Sequence, residues 1–203
     1  LWTPLHNSPR GGYAMRPHSR RAPPSRSTGA NSSGSSGATI QGAMTTTAPF
    51  ITQALGLAAR ALFLSSPNPR VGCVIATPDG RVIGQGFTQQ AGGPHAEVMA
   101  LRDALAAGAD VCGATAYVTL EPCAHQGRTG PCCDALVAAG IAKVVASIED
   151  PNPLVAGQGF ARLRAAGVAV EVGPGAAESR ELNIGFFSRM LRGTPWVRLK
   201  AAA

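Results

Sequence analysis

The sequence has few aromatic residues, with six Phe, two Tyr and two Trp among 203 residues. Its formal net charge of +7 would suit a nucleic-acid partner, but the excess is unevenly placed. Residues 1–43 hold five arginines and no acidic residue, which leaves 13 basic and 11 acidic residues for the rest of the chain. A surface that neutralises many phosphates needs clustered positive charge with aromatic side chains beside it. The composition therefore argues against a nucleic-acid partner.

Long apolar runs are also missing. No stretch approaches the roughly 20 residues that a transmembrane helix needs, so we expect no membrane association. The chain does not open on a charged segment followed by an apolar run, and its five cysteines are an odd number. We therefore expect reduced thiols and a cytoplasmic location.

The first 43 residues have almost no large apolar side chains to bury. A stretch such as "RPHSRRAPPSRSTGANSSGSSG" cannot offset the entropy of ordering it, so we predict a disordered leader over 1–43. An Arg- and Ser-rich leader without acids also fits a transit peptide, which would direct the protein to an organelle. The favoured alternative is upstream or added sequence with Met44 as the natural start. We predict the folded domain over 44–192.

From residue 49 onward the pattern becomes regular. Apolar residues at helical spacing predict a first helix over 49–64, and Pro-Asp-Gly between two apolar runs predicts a hairpin of strands 71–77 and 81–87. Helical segments then alternate with strands: helices at 95–107, 131–139, 157–166 and 175–192, strands at 115–120, 143–148 and 168–172. This alternation predicts an α/β fold with about five strands in a mixed sheet and helices on both faces.

Histidine and cysteine gather in "PHAE" and "EPCAHQGRTGPCC", and the candidate metal ligands are His95, Cys123, His125, Cys132 and Cys133. His95 and Cys132 follow prolines at predicted helix starts, where the positive helix end favours a thiolate. Cys123 follows a strand, at the edge where α/β sheets gather their sites. Cys133 points about 100° away from Cys132 on a helix, so we expect it to be a packed apolar residue.

Two further cysteines, Cys73 and Cys112, are expected to be core or near-surface thiols. Glu97 follows His95 by two residues, about 200° around a helix, so the two do not suit one metal as joint ligands. In zinc deaminases, His-x-Glu and Pro-Cys…Cys segments hold the metal while the Glu acts as general acid and base. An ordinary helix start and a turn with core thiols would explain each segment alone. Their combination favours a zinc deaminase site, although eight residues separate Cys123 from Cys132 where the usual pattern has two.

Four segments together resemble the deaminase domain of the bifunctional riboflavin-biosynthesis deaminase/reductase family: "SPNPRVGCVI", "PHAEVMAL", "YVTLEPCAHQGRTGPCCDAL" and "EDPNPLVAGQGFARLRAAGV". The resemblance runs from about residue 50 to the end and implies a three-layer α/β/α cytidine deaminase-like fold. It implies deamination of 2,5-diamino-6-(5-phosphoribosylamino)pyrimidin-4(3H)-one to 5-amino-6-(5-phosphoribosylamino)uracil and ammonia. It also implies that His95, Cys123 and Cys132 bind one Zn²⁺ and that Glu97 is the catalytic acid and base.

The same resemblance implies contacts to the substrate. Asn68 would hydrogen-bond the pyrimidine, although it could instead be a turn residue before a proline. Between the two ligand cysteines lie His125, Arg128 and Thr129, which suit a ribose-phosphate tail. The Arg128 guanidinium would donate bidentate hydrogen bonds to phosphate oxygens. Thr88 stands where the family leads us to expect a histidine, so it would contact the substrate through a hydroxyl.

Other positions are less certain or depart from the family. Asn152 in "DPNP" would either contact the substrate or simply shape its turn. Ala124 and Gly130 replace an expected serine and an expected proline, which affects substrate contacts but leaves the ligand set complete.

The C-terminal "LNIGFFSRMLRGTPWVRLKAAA" resembles the junction into the reductase domain of that family. We expect residues 193–203 to be the start of a truncated reductase, so NADPH would serve only the missing domain. Phe186, Phe187 and Trp196 would then expose apolar surface, and we expect a homo-oligomer.

Two alternatives remain open. Another deaminase of the same superfamily, acting on a nucleoside, a nucleotide or guanine, would favour a short Cys-x-x-Cys spacing. A structural zinc module would recruit a fourth protein ligand, His125 or Cys133, and would have no use for Glu97.

Overall fold

The computed structural model describes residues 47–126, 130–153 and 155–201, so the predicted leader and Met44 lie outside it. Its strands are β1 (Gly72–Ala76), β2 (Val82–Phe87), β3 (Thr115–Val118), β4 (Lys143–Ala146) and β5 (Ala169–Val172). Its helices are α1 (Thr47–Ala59), α2 (Ala96–Ala106), α3 (Cys132–Ala138), α4 (Gln158–Ala165), α5 (Ala176–Leu182) and α6 (Ile184–Arg192).

The strands form one mixed sheet in the order β2-β1-β3-β4-β5. β1 runs antiparallel to both of its neighbours, whereas β3, β4 and β5 run parallel. The predicted hairpin is confirmed, because β1 pairs with β2 through a turn in which the Thr77 amide donates to the Arg81 carbonyl at 2.9 Å. The carboxyl end of β3 meets the start of β1, where the Gly72 amide donates to Thr119 Oγ1 at 3.1 Å.

Helices cover both faces of the sheet. On one face Val74 of β1 packs with Ala54 and Leu57 of α1, and α5 lies beside α1. On the other face Cys73 and Ile75 of β1 join a larger core that includes buried residues of α2, α3 and α4. This division follows from the strand itself, because successive side chains point to opposite faces. The predicted three-layer α/β/α fold is confirmed.

Two glycines of β2 let α2 lie close against the sheet. A Cβ at Gly84 would lie 2.3 Å from the Ala100 carbonyl oxygen, and one at Gly86 would lie 2.4 Å from that of Ala96. Any larger residue at these positions would push α2 outwards, because a methyl group cannot approach a carbonyl oxygen so closely. This packing fixes the start of α2, where His95 stands.

The predicted helix over 175–192 is wrong at its centre. α5 ends at Leu182 and α6 begins at Ile184, and Asn183 between them has φ −111° and ψ 19°. The Asn183 side chain bonds to the backbone of Arg70, 113 residues earlier in the sequence. Helical periodicity cannot reveal such a distant partner, so the sequence pattern predicts one uninterrupted helix.

The first helix is also shorter than predicted. α1 ends at Ala59, and the amides of Arg60, Ala61 and Leu62 bond to carbonyls three residues back rather than four. Leu62 is 49% exposed and Phe63 is 96% exposed, so the chain leaves the core face at this point. Among the described residues, no helix has both the length and the apolar character that crossing a bilayer would require.

Candidate active site

His95 stands at the N-cap of α2, directly after Pro94. Its backbone is extended, with φ −77° and ψ 170°, and its carbonyl accepts a hydrogen bond from the Met99 amide at 3.0 Å. The proline and the extended residue after it turn the chain into the helix. The imidazole is thereby held at the end of α2 that faces the segment after β3.

Cys123 and Cys132 lie at the two ends of the connection between β3 and α3. Cys132 is the first residue of α3, after Pro131 at the N-cap. Its amide donates to Cys123 Sγ at 3.3 Å, and the Cys133 amide donates to the Cys123 carbonyl at 3.2 Å. Two N–H groups that would otherwise lack partners in the first turn of α3 therefore hold Cys123 against the helix start.

The three ligand atoms predicted from the sequence converge. His95 Nδ1 lies 3.5 Å from Cys123 Sγ and 3.2 Å from Cys132 Sγ. All three atoms lie within 4.8 Å of one another, and no second group of three His, Cys, Asp or Glu side chains is this close within 47–126, 130–153 and 155–201. Residues distant in sequence thus form one cluster at the carboxyl edge of the sheet.

The two ligand thiols titrate very differently. The pKa of Cys123 falls to about 4, first because the Cys132 thiol donates to its sulfur and further because His95 and the Cys132 amide do. The pKa of Cys132 is raised, because its proton is held in the bond to Cys123 and because the thiol is buried. The sequence led us to expect that the helix start would ionise Cys132 itself. The Cys123 thiolate is favoured instead, chiefly by the Cys132 thiol, and the Cys132 N–H at the helix start adds a smaller contribution.

The chemistry of this donor set fits zinc. One imidazole nitrogen and two cysteine sulfurs are ligands of catalytic zinc sites, which keep one position open for water or substrate. The hydrogen bond to Cys123 and burial raise the pKa of Cys132, and a divalent cation between the sulfurs would favour the thiolate form of both cysteines. His95, Cys123 and Cys132 are therefore the residues that could hold the ion.

Glu97 lies in the first turn of α2 and is only 3% exposed. Burial, and then the negative charge of Cys123, raise the pKa of its carboxyl group to about 7. A pKa near neutrality suits a group that takes a proton and later delivers it at neutral pH. A cation on the neighbouring ligands would lower this pKa again, because positive charge favours the carboxylate.

A cavity of about 260 Å³ opens onto His95, Glu97 and Cys123. Its walls come from the segment before β1, from the segments after β3 and β4, and from α6 near the C-terminus. The wall residues are Asn68, Pro69, Val71, Thr88, Leu120, Glu121, His125, Asp150, Asn152, Val155, Phe186 and Met190. Two of the expected ligands, His95 and Cys123, and the expected proton carrier Glu97 thus share one pocket with room for a small molecule.

Three of the expected substrate contacts, Asn68, Thr88 and His125, lie in the wall of this pocket. Thr88 is 4% exposed, and its hydroxyl accepts from the Val71 amide at 3.1 Å and donates to the Val71 carbonyl at 3.4 Å. The Thr88 proton is therefore used by the backbone, and the hydroxyl can offer substrate only a lone pair. Arg128 and Thr129 lie outside the described residues.

The other cysteines stay apart from the ligand cluster. Cys133 is fully buried, and its thiol donates to the Pro122 carbonyl at 3.2 Å. Cys73 is buried in β1 and Cys112 is exposed, and all five thiols are free. The prediction that Cys133 is a packing residue is confirmed, and neither it nor the exposed His125 belongs to the ligand cluster.

Sequence reasoning missed Glu121, which stands directly before Pro122 and Cys123 and is 6% exposed. Its Oε1 accepts from the amides of Gly159 at 2.7 Å and Phe160 at 3.3 Å. Its Oε2 accepts from those of Gly157 at 2.9 Å and Asp150 at 3.1 Å. One carboxylate therefore caps the start of α4 and ties it to the segment that carries Cys123. The sequence did hold a signal, because α4 begins at Gly157-Gln158 without the Ser, Thr, Asp or Asn that usually caps a helix.

We expect Glu121→Gln to lower the free energy of unfolding by about 1.5–3 kcal/mol, because an amide has one accepting oxygen and turns an NH₂ group toward backbone donors. Urea unfolding followed by circular dichroism measures the change. The matched control is Glu171→Gln, which breaks the ion pair with Lys143 on half-exposed side chains and should cost at most about 1 kcal/mol. Equal losses in the two variants would contradict the capping role of Glu121.

The fold and the cluster define a class of protein. A mixed sheet that brings together a His and a Cys at helix starts and a second Cys after a strand, with a buried Glu two residues after the His, is the arrangement of zinc-dependent deaminases. The family model described as the cytidine and deoxycytidylate deaminase zinc-binding region matches residues 44–148, and the chain belongs to this family. Relatives with high sequence identity indicate which branch of the family this chain resembles.

The riboflavin biosynthesis protein RibD of Escherichia coli (strain K12) is 56% identical over 154 residues, which is 76% of this chain and 41% of that protein. The diaminohydroxyphosphoribosylamino-pyrimidine deaminase of Buchnera aphidicola subsp. Schizaphis graminum is 45% identical over 146 residues, 72% of this chain and 97% of that protein. A crystal structure from Thermotoga maritima, named for both this deaminase and 5-amino-6-(5-phosphoribosylamino)uracil reductase, superposes with a TM-score of 0.70 at 40% identity. The superposed region covers 74% of this chain and 43% of the Thermotoga maritima chain. The chain thus resembles the riboflavin-biosynthesis deaminases over most of its length and spans about two fifths of the longer relatives.

Proposed function

We propose that this protein hydrolyses the ring 2-amino group of 2,5-diamino-6-(5-phosphoribosylamino)pyrimidin-4(3H)-one, an early step of riboflavin biosynthesis. Water enters, ammonia leaves, and the product is 5-amino-6-(5-phosphoribosylamino)uracil. The observation that carries the proposal is the convergence of His95, Cys123 and Cys132 at the pocket that contains the buried Glu97. The choice of substrate follows the names of the most similar relatives.

In this proposal His95, Cys123 and Cys132 hold one Zn²⁺. When bound, zinc supplies Lewis-acid chemistry that lowers the pKa of water to near neutrality. Glu97 accepts one proton from the attacking water and delivers it to the ring nitrogen, and it then carries the remaining proton of the added hydroxyl group to the leaving amine. Burial of Glu97 keeps bulk water from competing for these protons.

The pocket wall supplies the substrate contacts in this proposal. Asn68 hydrogen-bonds the pyrimidine and Thr88 offers its remaining lone pair. His125, with Arg128 and Thr129, receives the ribose-phosphate tail, because cationic and hydroxyl groups suit a phosphate. The part of the longer relatives that this chain does not match would carry the NADPH-dependent reductase.

Self-association also belongs to the proposal. The expectation that Phe186 and Phe187 expose apolar surface is wrong, because Phe187 is 4% exposed in the core and Phe186 is partly buried against it. Trp196 is exposed as expected, and with Leu191, Val197 and Leu199 it is one of four apolar residues that are 43–90% exposed near the C-terminus. These four residues support a contact surface for a second copy. The cytoplasmic location expected from the reduced thiols remains a prediction.

Ammonia release from two substrates offered side by side tests the proposed function. The zinc-loaded protein is given the diaminopyrimidine phosphoriboside in one reaction and cytidine in another. We expect ammonia from the diaminopyrimidine phosphoriboside and at least about 100-fold less from cytidine. Polar groups of the site that hydrogen-bond the first substrate would lack partners when the second is bound. Release from cytidine alone would overturn the substrate assignment and favour another deaminase of the superfamily.

A further inference from the structure

The segment from Ser65 to Arg70 forms one wall of the candidate active site. It precedes β1 and places Asn68 and Pro69 in the lining of the pocket that contains Glu97. Within the segment itself, the Asn68 amide donates to the Ser65 carbonyl at 2.7 Å, and Ser65 Oγ donates to the Asn68 carbonyl at 3.2 Å. These bonds shape a turn, but they do not fix where that turn lies relative to the pocket.

Asn183, between α5 and α6, fixes the end of this segment. Its Oδ1 accepts from the Arg70 amide at 2.7 Å, and its Nδ2 donates to the Arg70 carbonyl at 2.9 Å. The side chain is 2% exposed, so water does not readily replace either bond. One amide group therefore pairs with both backbone polar groups of Arg70, as a neighbouring strand would.

A second contact from the same helices holds the middle of the segment. Arg189 of α6 donates from Nη2 to the Pro67 carbonyl at 2.8 Å, and its guanidinium lies 5.6 Å from the centre of the Phe186 ring. Phe186 and Met190 themselves line the pocket. α6 thus contributes an apolar wall and also holds the segment that carries Asn68.

These contacts come from a region beyond the zinc-binding part of the domain. The shared family model ends at residue 148, whereas Asn183 and Arg189 lie well after it. His95, Cys123 and Cys132 belong to other elements, and neither Asn183 nor Arg189 contributes to their cluster. Loss of the Asn183 contacts should therefore change substrate binding and leave the metal ligands in place.

We infer that Asn183 is a positioning residue for substrate binding, which holds the Ser65–Arg70 segment so that Asn68 faces the pocket. This inference rests on the proposed function, because the substrate is the one named there. The role is indirect, since Asn183 acts through the backbone of Arg70 and is absent from the pocket lining.

The test is Asn183→Ala in the full chain with zinc bound. We expect KM for the diaminopyrimidine phosphoriboside to rise about tenfold, which corresponds to about 1.4 kcal/mol, while kcat changes by less than about twofold. Zinc content should stay at that of the wild-type protein. Hydrogen–deuterium exchange of a peptide covering 65–71 should become faster, because the Arg70 amide loses its acceptor.

Ser188→Ala is the matched control. The Ser188 hydroxyl, in the buried part of α6, donates to the Thr194 carbonyl at 2.7 Å and accepts from Arg192 Nε at 3.3 Å and Nη2 at 2.7 Å. The variant loses these bonds without touching the Ser65–Arg70 segment. Its KM and its exchange over 65–71 should match the wild-type protein. If Asn183→Ala does not fold, Arg189→Met provides a second test. It removes the exposed bond to Pro67 and the guanidinium beside the Phe186 ring, and it should raise KM and exchange in the same direction.

Faster exchange together with a raised KM supports the positioning role. Unchanged exchange, or faster exchange with an unchanged KM, overturns it. If the wild-type protein releases no ammonia from the diaminopyrimidine phosphoriboside, the proposed function fails. KM is then measured for the substrate that the protein does accept, and the same two readouts decide whether Asn183 positions the segment.

Discussion

Glu97→Gln is expected to retain zinc and lose turnover. The amide has nearly the shape of the carboxyl group but cannot take up the proton of the attacking water or pass it on. General acid–base catalysis contributes about 10²–10⁴-fold to a rate, so kcat/KM should fall by about that factor or more. A loss of this size with the metal still bound would assign the proton transfers to Glu97.

The fold should tolerate this change. The pKa of Glu97 is raised to about 7 in the folded protein, so folding favours its neutral form. The protonated form of Glu97 contributes to the free energy of unfolding, and this contribution is present at low pH. It is lost as the pH rises through about 7, because the buried carboxyl group then ionises. A neutral amide avoids that loss, so Glu97→Gln should unfold at no lower a temperature than the wild-type protein at pH 8 in the absence of metal.

Ammonia release, zinc content by atomic emission and thermal unfolding on the same samples check these expectations. Glu178→Gln makes the same substitution at an exposed position in α5 and should match the wild-type protein in all three. An active Glu97→Gln protein would remove Glu97 from the proton-transfer role. A Glu97→Gln protein that had lost its zinc would make it a ligand instead.

Cys123→Ala should lose both zinc and turnover. The substitution removes one of the three ligand atoms and also the acceptor of the Cys132 amide. Changes to residues that merely support a metal ligand cost 10–100-fold in affinity, so loss of a ligand itself should cost more than about 100-fold. Zinc content after dialysis against a weak chelator measures the effect.

Cys133→Ala is the matched control for this experiment. It removes the thiol beside Cys132 in sequence, but that thiol donates to the Pro122 carbonyl in the core. The variant should therefore keep its zinc and its turnover, with some loss of stability because a buried group has been truncated. Zinc loss from Cys133→Ala would contradict the choice of ligands.

The sequence predicted the architecture well because each element carries its own local pattern. The Pro-Asp-Gly turn specified the β1–β2 hairpin, and Pro94 and Pro131 marked the starts of α2 and α3. These starts are also where His95 and Cys132 stand, so the helix boundaries and the candidate ligands were predicted together. For this reason the ligand cluster could be predicted from the sequence alone.

Long-range contacts to the backbone could not be predicted in the same way. Glu121 caps a helix 38 residues later, and Asn183 pairs with Arg70 across 113 residues. A backbone amide or carbonyl looks the same at every position, so its partner leaves no complementary residue type in the sequence. The break at Asn183 was missed for this reason. The contribution of Phe186 and Met190 to the pocket was missed because helical periodicity does not show which distant segments a helix face meets.

The sequence also could not show which cysteine has its pKa lowered at the start of α3. The pattern places Cys132 at the N-terminus of α3, but only the three-dimensional structure shows that the Cys132 amide points at Cys123 Sγ. The pKa that falls is that of Cys123, chiefly because the Cys132 thiol donates to its sulfur and to a smaller degree because the Cys132 amide does. Spacing identifies which residues meet, whereas hydrogen-bond geometry decides which of them carries the charge.

X-ray absorption at the zinc edge of the wild-type protein tests the central claim most directly. The account predicts two sulfur neighbours, one imidazole nitrogen and one further light atom, as in a catalytic site that keeps a position open. A third sulfur or a second imidazole would mean four protein ligands, which is the mark of a structural zinc module, and would contradict the account.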